Sequence, residues 1–577
     1  MIVSNASAPD RKICPESDRL AAPRAIGPQL WKSSAFRQCV PTVFAALVAI
    51  AFLAARADRN SPEFGRHPDE AAHFITGTLV HDWIGAGFPR DPVGFAMRYY
   101  ARYPKVALGH WPPLFYGIQA AWFGLFGVSR GSATALTSFI AMTFLLILFE
   151  CLRRRFSSPA ALLALVLVAG SYVFQYVSAV FMADTLVASL CMGALWCYAA
   201  YLDRGGIRPA LGFGMLSALA ILTKQDAIVL AAVPPLAVLA RGRWELLKDW
   251  RFYLPAFVVL FLCAPYYWST HGITQSPWEG LPRKSLTAKA IFLAGGFALR
   301  GQLSLGLTLL GGAAAVVAAR RSSRVANLLA VLAAHAVGVV VLQMATPVSF
   351  DPRYRTALIP LSAFLAANAF QWILDLRRGA LTLKVATLAL VLTGLLVVAQ
   401  PLDATRKVSG YRQAVEALTE QPGLQVVIVC SDPQGDGAVT AEFRLQHPSG
   451  RFIVIRADKV LASATWMNQN YKLLHETPEA VEAYLRAQPV HYLLIDDWGQ
   501  ESGEHYNVLQ NLVKAHPDRF PLAGSFPVDR LHMGMHYPGT ARLYRVSRNV
   551  DKFPSEVELK ISGLPRKGKI LARLGDF

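Results

Sequence analysis

The chain has 577 residues, of which 54% are hydrophobic and only 16% are charged, and its mean hydropathy is +0.34. Soluble proteins carry about a quarter charged residues, whereas the apolar runs here approach or exceed the roughly 18–20 residues that cross a bilayer. These features exclude a soluble globular protein and predict a polytopic α-helical membrane protein. The net charge of +19 does not indicate nucleic-acid binding, because the basic residues cluster in short loops between apolar runs.

The apolar runs separate a helical membrane part from the ends of the chain. Residues 1–39 are polar and net basic, and they are predicted to form a disordered cytoplasmic leader. A domain of about eleven transmembrane helices is predicted over 40–402, and its first outer loop covers 57–131. The predicted spans lie near 40–55, 132–152, 159–178, 183–202, 209–223, 226–240, 252–268, 302–319, 325–343, 355–373 and 384–400.

The stretch 111–127 is apolar enough to insert into a membrane, and the loop charges decide whether it crosses. If it does not cross, five later loops share one side and hold fifteen Lys/Arg in 39 residues. These loops are 153–158, 203–209, 241–251, 320–324 and 375–384. Because such an excess marks the cytoplasmic face, the sequence predicts a cytoplasmic amino terminus and an interfacial or re-entrant helix at 111–127.

The composition changes after the last predicted span, and this orientation places the segment outside the cytoplasm. Short β-rich runs alternate there with helical patterns, which predicts an extracytoplasmic α/β domain with a mostly parallel sheet at 403–548. Residues 549–577 are predicted to form a basic, weakly patterned tail. The predicted strands are Val426–Val429, Phe452–Ile455, Tyr492–Ile495 and Leu543–Val546, and the predicted helices are Tyr411–Thr419, Pro478–Ala487 and Tyr506–Ala515.

Several ionisable residues fall at the predicted outer face, where charge is costly and is a functional hypothesis by default. The densest group is the acid pair Asp69-Glu70 between His67 and His73. The others, in chain order, are Lys105, His110, Asp184, Lys224-Gln225-Asp226 and Asp351-Pro352-Arg353-Tyr354-Arg355.

This combination of residue types suits one chemistry. A carboxylate can accept a proton from a hydroxyl nucleophile, while arginine and lysine can bind a phosphate and stabilise it as it departs. Apolar surroundings suit a lipid tail. A lipid-phosphate-linked sugar that is attacked by an acceptor hydroxyl needs all three features.

Structural interpretations compete with this functional one. Asp184 and Asp226 could be solvated loop residues or helix caps. Arg353 and Arg355 could contact lipid headgroups. The Asp69-Glu70 pair has the weakest purely structural explanation.

The order of these motifs resembles that of the GT-C membrane glycosyltransferases. The resemblance is greatest to the branch that contains the protein O-mannosyltransferases and the bacterial transferases that put aminoarabinose or galacturonic acid on lipopolysaccharide. It covers about residues 40–400. The matching residues are Asp69-Glu70, Pro112-Pro113-Leu114-Phe115-Tyr116, Asp184, Leu222-Thr223-Lys224, and Arg353-Tyr354 with Pro360.

The resemblance implies a polyprenyl-phosphate-sugar donor and a reaction that inverts the anomeric centre. It also implies that Asp69 is the general base, supported by Glu70 and Asp184. Lys224, Arg353 and Lys105 become candidates for the lipid phosphate. His110, Tyr116 and Arg355 are further candidates for substrate binding.

Two histidines and one glycine-containing loop are not part of the family pattern. His67 and His73 could hold a divalent metal with Asp69 or Glu70, since imidazole and carboxylate together suit zinc or manganese. Alternatively, the two histidines only form hydrogen bonds. The run Ser431–Gly437 resembles a nucleotide-binding turn but lacks the Gly-x-Gly-x-x-Gly spacing, so we interpret it as an ordinary βα loop.

The sequence therefore predicts a hexosyl- or pentosyl-transferase in a bacterial inner membrane. It would transfer a sugar from a polyprenyl phosphate to a hydroxyl of a lipid, glycan or protein at the extracytoplasmic face. One alternative is a transporter or flippase of lipid-linked sugars, but the sequence shows no inverted repeat and its ionisable residues lie at one face rather than at the midplane. Another alternative is a non-catalytic scaffold, which leaves the Asp69-Glu70 pair unexplained.

Overall fold

The structure is a computed structural model. It describes residues 63–107, 109–275, 285–291, 305–347, 351–375, 407–463, 470–532, 535–547, 553–560 and 569–573, with 42, 43, 45–47 and 50. The elements named below all lie within one compact unit, Ala45–Phe577. The amino-terminal leader, most of the first predicted span and the span predicted at 384–400 lie outside the described residues.

The amino-terminal two thirds of the chain is helical. Its α-helices are α1 (Glu70–Gly85), α2 (Pro92–Arg102), α3 (Leu114–Phe126), α4 (Arg130–Arg153), α5 (Ser158–Gly170), α6 (Tyr172–Ala179), α7 (Asp184–Arg204), α8 (Ile207–Ile221), α9 (Val233–Arg241), α10 (Trp250–Gln275), α11 (Leu305–Arg321), α12 (Ser323–Ala345) and α13 (Ile359–Asp375). Short 3₁₀ helices lie at Gln225–Ala232, Trp244–Lys248 and Pro352–Leu358.

Among the described residues, five helices are long and apolar enough to cross a membrane. A sixth span results if α5 and α6, which are bent by 61°, count as one. The spans predicted at 209–223 and 226–240 correspond to shorter helices, and α11 has 17 residues. The described residues therefore agree with a multi-helix membrane domain but do not confirm a count of eleven.

The bend between α5 and α6 has a local cause at Ser171. This residue is extended, with φ of −69° and ψ of 143°, so it ends the first helix. Its hydroxyl then accepts a hydrogen bond from the amide of Phe174 at 3.4 Å, which caps the start of the next helix. One residue thus breaks the predicted span at 159–178 into two helices.

The carboxyl-terminal domain is built on a six-stranded sheet. Its helices are α14 (Tyr411–Glu416), α15 (Pro433–Gln446), α16 (Pro478–Ala487) and α17 (His505–Ala515). Its strands are β1 (Lys407–Ser409), β2 (Gln425–Cys430), β3 (Phe452–Arg456), β4 (Ala462–Ser463), β5 (Lys472–Leu473), β6 (Val490–Asp496), β7 (Leu522–His532), β8 (Met535–Arg545), β9 (Glu556–Lys560) and β10 (Lys569–Arg573). The six strands lie in the order β1-β7-β8-β6-β2-β3.

The prediction of a mostly parallel sheet is wrong. Only the pairs β2–β3 and β2–β6 are parallel, while β6–β8, β7–β8 and β1–β7 are antiparallel. Every residue of β2 and β6 is buried, and continuous apolar runs are typical of parallel strands covered on both faces. Strand β7 is half-exposed and forms a hairpin with β8, which the single short strand predicted at 543–546 did not reveal.

The basic tail predicted after residue 548 contains regular structure. Strands β9 and β10 form an antiparallel pair. The preceding segment packs on the main sheet, since the amide of Leu424 donates to the carbonyl of Pro554 at 2.8 Å. The carbonyl of Arg573 accepts a hydrogen bond from the fully buried Arg102 of α2. The described part of this tail is therefore tied to both domains.

Helix α15 joins the carboxyl-terminal domain to the helical part by packing on α1. A side chain at Gly437 would bring its Cβ within 3.0 Å of the Cβ of Ala71, so the two helices approach closely. Farther along α15, Arg444 donates to both carboxylate oxygens of Asp82 at 3.0 and 2.9 Å. Glu442, which has no exposed surface on its side chain, pairs with Arg130 at the start of α4. The close contact at Gly437 and the two ion pairs thus hold the carboxyl-terminal domain against the first outer loop.

We predict that Gly437→Leu destabilises the junction by about 1–3 kcal/mol, because extra methylenes in a packed contact force backbone shifts. Gly437→Ala should cost less, and Gly117→Leu, where a side chain meets open space, should have little effect. Thermal unfolding of the purified protein in detergent measures all three. Equal melting temperatures for the two leucine variants would contradict the prediction.

Candidate active site

A cavity of about 710 Å³ lies between the helical part and the carboxyl-terminal domain. The first outer loop, the starts of α7 and the 3₁₀ helix at Gln225–Ala232, and two turns of the sheet domain contribute to its walls. Its apolar lining includes Val187, Ala188, Val229, Val339 and Leu342. Its ionisable lining residues are His67, Asp69, His73, Lys105, His110, Asp184, Lys224, Asp226, His335, Arg353, Arg456, Asp458, Lys459 and Glu501, with Tyr100, Cys191 and Tyr354.

Asp69 and Arg353 form the central ion pair of the cavity. Asp69 precedes α1 without capping it, so its carboxylate is available to other partners. Arg353 Nη1 donates to Asp69 Oδ2 at 2.9 Å, and the two side chains are 12% and 17% exposed. Burial opposes ionisation of Asp69, yet the charge of Arg353 holds the pKa of this carboxyl well below its usual range. Asp69 is therefore a carboxylate at neutral pH.

His67 ties the same loop to the turn before α13. Its Nε2 lies 3.1 Å from Asp351 Oδ2, and its Nδ1 accepts from the amide of Asp69 at 3.0 Å. Burial raises the pKa of Asp351, but the hydrogen bond with His67 and the charge of Arg353 bring it down to about 2. Asp351 also caps the 3₁₀ helix by accepting from the amide of Arg353 at 2.9 Å. His67 thus orients both halves of the ion pair.

A second charged cluster centres on Lys224. Its Nζ donates to Asp184 Oδ1 at 2.7 Å and lies 3.2 Å from Asp226 Oδ2. Both cations lie over the ring of Tyr354, with Lys224 Nζ 5.3 Å and Arg353 Cζ 5.2 Å from its centroid. Because cations are attracted to the face of an aromatic ring, Tyr354 helps hold Lys224 and Arg353 on one wall.

Glu70 faces away from the cavity and supports the loop instead. Its Oε1 accepts from the amide of Phe181 at 3.0 Å, and its Oε2 accepts from the amide of Arg66 at 2.9 Å. Burial raises the pKa of its carboxyl, against the effect of Arg66 and these amides. Glu70 therefore fixes the loop around Asp69 against the segment before α7.

His73 lies in the cavity wall and Tyr116 lies behind it. His73 Nδ1 is 3.0 Å from the hydroxyl of Tyr116, and its ring stacks on Trp111 with centroids 4.3 Å apart. Burial lowers the pKa of His73 to about 3, so the ring is neutral at physiological pH. Tyr116, which is 1% exposed, orients this histidine rather than lining the cavity.

Lys105 and His110 line other parts of the cavity. Lys105 donates to the carbonyl of Pro433 at 2.8 Å, at the start of α15. Burial and the nearby charge of Arg456 lower the pKa of Lys105 to about 8. The carbonyl of His110 accepts from Gln225 at 3.2 Å, and burial lowers the pKa of the His110 imidazole. Lys105 is thus a cation where the two domains meet.

One predicted substrate-binding residue and the predicted metal ligands do not have the expected arrangement. Arg355 does not line the cavity. His67 and His73 have different partners, Asp351 and the hydroxyl of Tyr116. Within the described part of the chain, no group of three or more His, Cys, Asp or Glu side chains is placed to hold a metal ion. The divalent metal stays a prediction from the sequence, which chelation of the purified protein would test.

The sequence interpretation missed the wall that the carboxyl-terminal domain contributes. Arg456 ends β3, Asp458 and Lys459 follow it, and Glu501 and Ser502 follow β6. All five line the cavity with Asp69. A signal was available, because charged residues directly after a predicted buried strand lie at the carboxyl edge of a sheet, where α/β domains bind ligands.

Comparisons with known proteins identify a family model and similar folds. Residues 110–268 match the family model of dolichyl-phosphate-mannose-protein mannosyltransferases. The crystal structure of ArnT from Cupriavidus metallidurans, bound to undecaprenyl phosphate, is similar with a TM-score of 0.54 at 13% identity. That similarity covers 90% of this chain and 99% of ArnT. No curated protein sequence matches the chain.

A second similar structure is the oligosaccharyltransferase AglB from Archaeoglobus fulgidus, in complex with an inhibitory peptide and a dolichol phosphate. The TM-score is 0.52 at 14% identity, over 80% of this chain and 69% of AglB. The resemblance stated from the sequence is confirmed at the level of fold: the chain is an integral membrane protein with the architecture of the GT-C glycosyltransferases.

We predict that Arg353→Met lowers the free energy of unfolding by about 3–5 kcal/mol, because it leaves Asp69 and Asp351 as buried carboxylates without their cation. Arg486→Met breaks a pair in which the arginine is 41% exposed and should cost less than about 1 kcal/mol. Melting temperatures in detergent measure both. A similar small shift for the two variants would show that the Asp69–Arg353 pair contributes little to stability.

Proposed function

We propose that the protein transfers a sugar from a polyprenyl-phosphate carrier to a hydroxyl group of a lipid, glycan or protein acceptor. The observation that carries the proposal is the Asp69–Arg353 ion pair, with Lys224 over the same Tyr354 ring as Arg353, in a cavity that also has apolar lining residues. The lipid phosphates bound to ArnT and AglB support the same donor class.

In this mechanism the acceptor oxygen attacks the anomeric carbon while the bond from that carbon to the phosphate oxygen breaks. The hydroxyl proton passes to Asp69, and the polyprenyl phosphate departs with the bonding electron pair. Lys224 and Arg353 would stabilise the negative charge that develops on the phosphate. An in-line displacement of this kind inverts the anomeric centre.

The ion pair with Arg353 makes Asp69 a weak base, since a general base works best with a pKa near the working pH. A donor phosphate placed against Arg353 would offset the guanidinium charge and raise the pKa of Asp69. Donor binding would therefore activate the base, so that the acceptor is deprotonated only when the donor is present. Asp184 would keep Lys224 oriented through its 2.7 Å hydrogen bond.

The proposed setting is a bacterial inner membrane, with the amino terminus in the cytoplasm and the cavity at the extracytoplasmic face. The excess of basic residues in the predicted cytoplasmic loops supports this orientation. A cysteine introduced at Ser449, which is exposed on the carboxyl-terminal domain, should react with a membrane-impermeant maleimide in intact spheroplasts. Labelling only after lysis would contradict the orientation.

We expect Asp69→Asn to lower the rate of sugar transfer by about 10²–10⁴-fold, the usual contribution of a general base. The assay uses purified protein in detergent, radiolabelled sugars on polyprenyl phosphate, and membrane extract as the acceptor. Asp529→Asn, at a carboxylate that does not line the cavity, is the matched control. Transfer by Asp69→Asn at the wild-type rate would rule out Asp69 as the base.

The same preparation distinguishes transfer from transport. In proteoliposomes, a transferase converts the donor to polyprenyl phosphate and a glycosylated product. A flippase moves the intact donor across the bilayer without this conversion. Translocation without conversion would favour the transporter alternative.

We further expect the binding of undecaprenyl phosphate to weaken as the pH rises through about 8, where Lys105 loses its proton. A lysine with a lowered pKa is charged below that value and neutral above it, so its attraction for phosphate fades over about pH 7–9. Lys105→Arg should remove this dependence, because arginine stays charged. A dissociation constant with the same pH profile in both proteins would exclude a phosphate contact by Lys105.

A further inference from the structure

The carboxyl-terminal domain contributes a second charged wall to the cavity, which the proposed chemistry at Asp69 does not use. We call Arg456, Asp458 and Lys459 the strand-end cluster, because they lie at the end of β3 and in the turn after it. All three line the cavity, together with Ser502 from the turn after β6. The strand-end cluster is therefore open to the same space as Asp69.

The topology of the sheet explains why polar residues gather at this edge. Strand β2 lies between β3 and β6 and runs parallel to both. The chain leaves β2 for β3, then returns from β3 past β2 to β6. Where connections from neighbouring parallel strands diverge in this way, a crevice opens outside their carboxyl ends, and open α/β sheets bind ligands there.

The strand-end cluster is held rigidly but retains hydrogen-bonding capacity. Arg456 Nη2 donates to Asp458 Oδ2 at 2.8 Å, and Arg456 Nε donates to Asp436 Oδ2 at 3.0 Å. Lys459 Nζ lies 3.4 Å from Asp458 Oδ2. The other oxygen of Asp458, Oδ1, is buried and has no hydrogen-bond partner among the described residues. Asp458 lines the cavity, and buried polar atoms are normally hydrogen-bonded, so this carboxylate has capacity to accept from a ligand donor.

The mixture of charges indicates the chemistry of that ligand. A ligand in this part of the cavity meets an acceptor, the carboxylate of Asp458, next to the donors of Arg456 and Lys459. Sugar hydroxyls both donate and accept, so they can satisfy Asp458 and a cation such as Lys459 together. We propose that the strand-end cluster binds the hydroxyl groups of a saccharide ring, either the donor's sugar or the acceptor's glycan. This inference rests on the proposed sugar transfer and assigns its recognition to the carboxyl-terminal domain.

Two variants and two matched controls test the proposal. Asp458→Asn and Lys459→Gln each remove a charge from the strand-end cluster. Asp518→Asn and Lys514→Gln remove the same charges at exposed positions. The binding probes are undecaprenyl phosphate and undecaprenyl phosphates that carry glucose, galactose, mannose or arabinose. Native mass spectrometry measures their affinities, melting temperatures confirm folding, and transfer kinetics give KM for donor and acceptor separately.

If the cluster holds the donor's sugar, both variants weaken the preferred sugar-bearing lipid about tenfold or more, because a hydrogen bond to a charged group is lost. Their affinity for undecaprenyl phosphate stays at the wild-type value. If the cluster holds the acceptor, both donor affinities stay unchanged and KM for the acceptor rises by a similar factor. Either result supports the proposal, provided that the two controls behave as wild type.

The proposal is overturned if both variants bind the lipids with wild-type affinity and also show the wild-type KM for the acceptor. So does an equal loss for sugar-free and sugar-bearing lipids, which would assign the cluster to phosphate binding or to folding. Failure of the proposed function is a separate result. The wild type would then show no transfer, while the difference in its affinity for lipids with and without a sugar would still test the strand-end cluster.

Discussion

The ion pair between Asp69 and Arg353 joins two parts of the chain that lie 284 residues apart. The hydrogen bond between His67 and Asp351 spans the same separation directly beside it. Together these contacts bind the first outer loop to the turn that begins the last described helix of the membrane part. Burying a charge is costly unless it is paired. Burial of Asp69 in the loop therefore depends on Arg353 in the turn, and burial of Arg353 depends on Asp69.

This constraint also determines where the chemistry can occur. Once the loop is fixed, Glu70 binds backbone amides beside α7, and His73 stacks on the segment before α3. The wall that carries Lys224 is held to Arg353 through the ring of Tyr354. The cations and the carboxylate of the proposed site thus share one rigid wall, and a phosphate that binds there changes the electrostatic surroundings of Asp69.

The opposite wall is fixed by packing rather than by charge alone. The close approach of α15 to α1 at Gly437 and Ala71 helps bring the carboxyl edge of the sheet to the same cavity as Asp69. Paired charges farther along α15, at Glu442 and Arg444, keep the domain in this orientation. The carboxyl-terminal domain is therefore a part of the cavity, and it can contribute to the choice of substrate.

The sequence by itself determined the membrane class, the motif order and the GT-C resemblance, since these depend on apolar runs and local patterns. It placed Asp69, Lys224 and Arg353 at one face because loop charges set orientation, and it located β2, β3 and β6 from their apolar runs. Only the tertiary structure decided that Glu70 turns away, that β7 and β8 make the sheet mostly antiparallel, and that Asp458 faces the same cavity as Asp69. Glu70 is turned by an amide 111 residues away, the antiparallel part of the sheet depends on the pairing of β8 with β6, and Asp458 reaches the cavity because α15 packs on α1. Local sequence patterns do not contain these contacts.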